Sequence, residues 1–97
     1  MCSEMMRKPL EPAEVIRQCI EVIDRIINDD SVPRNIRRSA DEIKIILSNN
    51  EDSTAIRAAK SIRILDDIST DQNLPLHTRT VIWNLAGQLE TVPVDFI

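Results

Sequence analysis

Glycine is almost missing from this chain: Gly87 is the only one. Tyrosine is absent, and Trp83 and Phe96 are the only aromatics. Tight two-residue β-hairpins depend on residues that accept positive φ, glycine above all, so a β-rich fold does not fit. The abundant isoleucine suits strands by propensity, but its spacing, below, is helical. Cysteine is scarce too. Cys2 and Cys19 make neither a CxxC pair nor a disulfide framework. No apolar run nears the ~20 residues of a membrane span, and Met1 to Pro12 lacks the apolar stretch of a signal peptide. The expected compartment is the cytosol, with no membrane partner. Nor is there an excess of positive charge: 12 Lys and Arg stand against 16 Asp and Glu, for a net charge of −4. General nucleic-acid affinity rests on a basic face, and base stacking rests on aromatics; both are poorly provided here.

What remains is an ordinary globular composition, 42 % hydrophobic and 29 % charged over 97 residues, which suits a single domain. The expected layout is a flexible N-terminal tail (1–11), a four-helix domain (12–91) and a short apolar C-terminal tail (92–97). In the first helix, Val15, Cys19, Val22 and Ile26 form one stripe beside another of Ile16, Ile20, Ile23 and Ile27. The second helix opens at Ser31-Val32-Pro33, with Ser31 as its cap, and turns Ile36, Ala40, Ile43 and Leu47 inward. Asn50 or Asp52 is the expected cap of the third, whose inward row is Ala55, Ala59, Ile62, Leu65 and Ile68. The fourth begins near Asn73-Leu74-Pro75 and carries Thr78, Ile82, Leu85 and Leu89.

The halves repeat at an offset of 42 residues. Ile20, Asp24, Ile26, Asp29, Pro33, Arg37 and Leu47 recur as Ile62, Asp66, Ile68, Asp71, Pro75, Arg79 and Leu89. A helix–turn–helix period near 40 is also a property of HEAT repeats, and Asp29 to Ala40 resembles part of one. Two copies are too few for a free-standing solenoid. The expected fold is therefore an all-α, up-and-down four-helix bundle of two duplicated helical hairpins, with a HEAT-like pair as the alternative.

The segments Asp29 to Arg38 (DDSVPRNIRR) and Leu74 to Trp83 (LPLHTRTVIW) resemble the hallmark segments of uncharacterised protein family 0147, a group of short archaeal proteins. The resemblance runs from about Val15 to Glu90. It implies an all-α bundle and an archaeal cytosol, and it implies no activity. Both tails look like departures from the family's core length.

His77 is the only histidine. As a general acid or base it would need a positioned partner, for which Asp71 and Asp67 are the candidates; the simpler reading is a polar residue at a helix start. There is no phosphate loop, HExxH or nucleophile motif, and neither a metal nor a cofactor is expected. Arg34, Arg37 and Arg38 cluster at one helix start. They either contact phosphate or are neutralised locally by Asp29 and Asp30, with Arg37 and Arg79 bracing their turns through Asp29 and Asp71; the recurrence of both acid–arginine pairs favours the structural account. Trp83 stands where the first copy has Asp41, with Gly87 one turn on. Ile45 and Ile64 fall opposite their helices' main stripes. With Phe96, these residues make a candidate interaction surface for a protein partner or a second copy of the chain. The expected function is a non-enzymatic interaction module; the alternative is an RNA-associated factor using the arginines.

Overall fold

The computed structural model describes residues 11–92, which form four helices: α1 (Pro12–Ile27), α2 (Arg34–Ser48), α3 (Thr54–Ser69) and α4 (Leu76–Leu89). Shifting α1 and α2 by 42 residues reproduces α3 and the start of α4. Each helix packs on its neighbours in sequence, and α4 closes the ring against α1. The diagonal pair α1 and α3 also touches, whereas α2 and α4 stand apart on opposite corners. This is the expected bundle of two hairpins. Phe96 and most of both tails lie outside the described residues.

The stripes of α1, α2 and α4 bury much as expected, with Ile36, Ala40, Ile43, Leu47, Thr78, Ile82, Leu85 and Leu89 all closed to solvent. Helix α3 is rotated from its expected row. Ala58, Ser61, Leu65 and Ile68 face inward, Ala55 and Ile62 are half-buried, and Ala59 is exposed. Ser61 is the position equivalent to Cys19 in α1, and both are fully buried. Small side chains at this shared level suit the one diagonal along which two helices touch. Burial pushes the Cys19 thiol up to about 11, which leaves about one thiolate in 10⁴ at neutral pH and makes it a packing group rather than a nucleophile.

The helix starts differ from expectation. Ser31 does not cap α2, nor does its counterpart Asn73 cap α4; Pro33 and Pro75 occupy the N-cap positions, at φ −56° and −59°. Their fixed φ and missing N–H suit the point where extended chain enters a helix. The cap of α3 is Ser53, whose Oγ accepts from the Ile56 N–H at 3.2 Å, not Asn50 or Asp52. Arg57 reaches back to the Leu47 carbonyl at 2.9 Å and closes the end of α2.

Ser61 Oγ is buried with no hydrogen-bond partner among the described residues. An unmade buried hydrogen bond costs about 1–3 kcal/mol, so Ser61→Ala should raise the midpoint of thermal unfolding, and Ser61→Cys, which copies the equivalent position of α1, should do so too. Differential scanning calorimetry checks this; a lower midpoint in both variants would mean that the hydroxyl has a partner.

Candidate functional site

The α1–α2 and α3–α4 turns lie side by side at one end of the bundle and share one construction. Asp29 Oδ1 accepts from the Ser31 N–H at 2.9 Å and from its hydroxyl at 2.7 Å. Asp71 Oδ1 accepts from the Asn73 N–H at 2.8 Å. In each turn the aspartate carbonyl also accepts from the buried residue before the proline, Val32 or Leu74. An aspartate that bonds the backbone two residues on makes a tight turn without positive φ, and no described residue has one. The second carboxylate oxygen of each aspartate crosses to the other hairpin. His77 Nε2 lies 3.3 Å from Asp29 Oδ2, and Asn35 Nδ2 donates to Asp71 Oδ2 at 3.0 Å. Asn35 and His77 are equivalent positions, so the two turns clasp each other reciprocally.

This geometry corrects part of the bracing scheme. Arg37 pairs with Asp30, the other aspartate expected to neutralise the cluster, at 3.9 Å, and not with Asp29, whose oxygens already serve Ser31 and His77. Arg79 does brace its turn, but through the Asp71 carbonyl at 3.2 Å. His77 finds its acidic partner in the other hairpin, not in Asp67 or Asp71. Its side chain is 63 % exposed. Arg34 and Arg38 are exposed, with no ion pair among the described residues. An open groove of about 200 Å³ runs from the His77–Asp29 contact between α1 and α4, over Val22, Ile26 and Val81. Among the described residues no three His, Cys, Asp or Glu side chains gather closely enough to hold a metal, and no helix is long and apolar enough to cross a membrane.

The expected interaction surface divides. Ile64 is half-buried against the core, because the rotation of α3 carries it to the flank of the inward face. Ile45 is 64 % exposed, but it sits on α2, the corner diagonal to α4, so it shares no patch with Trp83. Trp83 and Gly87 do lie together on the outward face of α4, joined by Leu76, which the sequence reading passed over. Leu76 is 79 % and Trp83 62 % exposed. Leu76, Thr80, Trp83 and Gly87 fall within an arc of roughly 60° on the helix, directly opposite its buried row. The signal was available in the seven-residue step from Leu76 to Trp83. A Cβ on Gly87 would meet nothing within 4 Å, so packing within the described chain does not explain a glycine that costs a helix ~1 kcal/mol relative to alanine.

The family described as uncharacterised protein family UPF0147 matches residues 3–92. The N-terminal segment from residue 3 onward thus falls within the family's length, contrary to expectation, and the match ends at Val92. A UPF0147 protein of Methanosarcina acetivorans is 65 % identical over 85 residues, 88 % of each chain. One from Archaeoglobus fulgidus is 50 % identical over 80 residues, 82 % of this chain and 91 % of that one. A crystal structure of a protein of unknown function is similar at a TM-score of 0.84 and 44 % identity, covering 90 % of this chain and 99 % of that chain. The crystal structure of a UPF0147 protein from Thermoplasma acidophilum is similar at 0.78 and 29 % identity, covering 82 % and 94 %.

The Ser31 hydroxyl, then the Ser31 N–H, then His77 hold the Asp29 carboxyl below the usual aspartate range. A depressed carboxylate stabilises the folded state above its unfolded pKa, and that contribution is lost as pH falls through the lower folded value. In a carbon-detected NMR titration Asp29 should titrate below free aspartate. Ser31→Ala should move it back up further than His77→Ala does; the reverse order would make the inter-hairpin contact the stronger one.

Proposed function

The chain belongs to the uncharacterised protein family UPF0147, and from that footing we propose that it is a non-enzymatic protein-interaction module of the archaeal cytosol that docks its partner on the outward face of α4. The observation that carries this reading is a contrast between equivalent helices. The outward face of α2 is Arg34, Arg38, Asp41 and Ile45; the same positions of α4 are Leu76, Thr80, Trp83 and Gly87. Both faces point away from the same kind of core, so the fold places no demand on either. One has the charged character of a solvated helix. The other has lost every charge and gained the largest apolar side chain. Single exposed apolar residues are normal, but a contiguous patch marks a contact surface, and tryptophan is enriched among residues that dominate binding.

The arginines support the RNA reading less well. Arg37 and Arg79 are engaged at the turns, which leaves Arg34 and Arg38 in a chain of net charge −4. An enzyme centred on His77 is also less well supported, since its partner Asp29 is already committed to holding a turn.

Crosslinking of the tagged full chain in an archaeal host, followed by mass spectrometry, tests the proposal. Leu76→Ala with Trp83→Ala should remove the crosslinked partner while circular dichroism shows an intact bundle. The expected loss for a residue of this kind is about 30-fold in affinity. Unchanged crosslinks would refute the α4 site. Salt-sensitive RNA binding that disappears with Arg34→Ala and Arg38→Ala would instead move the function to the turn end.

A further inference from the structure

Resting on that reading, we propose that the partner fitting the α4 face is a second copy of this chain, bound with its α4 antiparallel to the first. The face is patterned for its own reverse. From the N-terminal end it reads large, small, large, small: Leu76, Thr80, Trp83, Gly87, with the members of each large–small pair four positions apart. In an antiparallel pair whose two-fold axis passes midway between Thr80 and Trp83, Leu76 of each copy lies over Gly87 of the other. Trp83 of each copy lies over Thr80 of the other. Every large side chain thus meets a small one, as a self-complementary two-fold interface requires. In a parallel pairing the same residues would set indole against indole and leave glycine facing glycine.

Three further features agree. Gly87 has open space around it among the described residues, so a neighbouring helix can approach there closely. The Thr80 hydroxyl is 3.3 Å from the Leu76 carbonyl of its own helix, so its polar atom already has a partner when the surface is covered. The first turn of α4 has no acidic residue, and Pro75 gives it no side-chain cap. In the antiparallel pair, exposed Glu90 comes beside that N-terminal turn of the other copy, where negative charge is favoured. One helical stripe is a small interface, so the dimer belongs to the weak, reversible class.

Sedimentation velocity of the full chain from about 1 µM to 1 mM reads the association, and the emission of Trp83, the only tryptophan, should shift to the blue as concentration rises. Gly87→Leu alone sets leucine on leucine and should weaken dimerisation at least about tenfold. Leu76→Gly alone opens a gap and should weaken it as well. Mixed in equal amounts, the two variants restore both large-to-small contacts and should form a heterodimer more stable than either homodimer. A wild-type chain monomeric throughout, or a mixture that associates no better than its components, overturns the proposal. So does a chain that dimerises only after residues 93–97 are deleted. A monomer that still crosslinks to another protein through Trp83 refutes self-association and leaves the interaction module standing; one that crosslinks to nothing refutes both.

Discussion

Neither hairpin of this chain can bury its apolar face alone. A pair of antiparallel helices shields only the seam between them, and the broad stripes of α1 and α3 need a second layer. Each hairpin provides that layer for the other. Ile23, Ile26, Leu65 and Ile68 are closed to solvent because the hairpins pack on each other along α2–α3 and α1–α4, with α1 and α3 touching across the diagonal. The small side chains Cys19 and Ser61 at equivalent positions on those helices follow from the same requirement, and so does the alignment of the two turns at one end.

Much of this was legible in the sequence because burial leaves a periodic record. The 42-residue offset and the inward rows of α2 and α4 could be read directly, since each row keeps helical spacing and begins three residues after a proline, Pro33 or Pro75. Helix α3 was harder because alanine lies at 55, 58 and 59, and the correct register turns on Ser61, a polar residue in the interior. Carrying Cys19 across the repeat would have found it. The helix caps were misread for a local reason. Ser31 is a good capping residue by type, but Asp29, two positions earlier, takes both its N–H and its hydroxyl.

The contacts between hairpins were not legible. His77 with Asp29, and Asn35 with Asp71, are each decided by how two separate units dock, and no spacing along the chain encodes that distance. The grouping of Ile45 with Trp83 failed for the same reason: each was correctly read as pointing away from its own core stripe, but the diagonal arrangement of α2 and α4 turns the two residues in opposite directions. The exposed face of α4 survived because it lies on a single helix, where residue spacing alone determines what is adjacent.

The clasp at the turn end has the signature of an interface between identical subunits. In such an interface, residue i of one subunit meets residue j of the other, and j meets i in return. Here the residue at position 35 or 77 meets the aspartate at position 71 or 29, and one step of 42 residues converts each contact into the other. In its helix bounds and in these reciprocal contacts, the bundle is built like a two-fold dimer of hairpins closed within one polypeptide, with Asn49 to Ser53 as the tether. Tethering makes the two halves inequivalent in law if not in shape: a substitution now alters one side of the symmetry without altering the other. A homodimer of hairpins would have to display tryptophan on both outer helices or on neither. This chain can keep a charged flank on α2 and an apolar one on α4, and so has a front and a back.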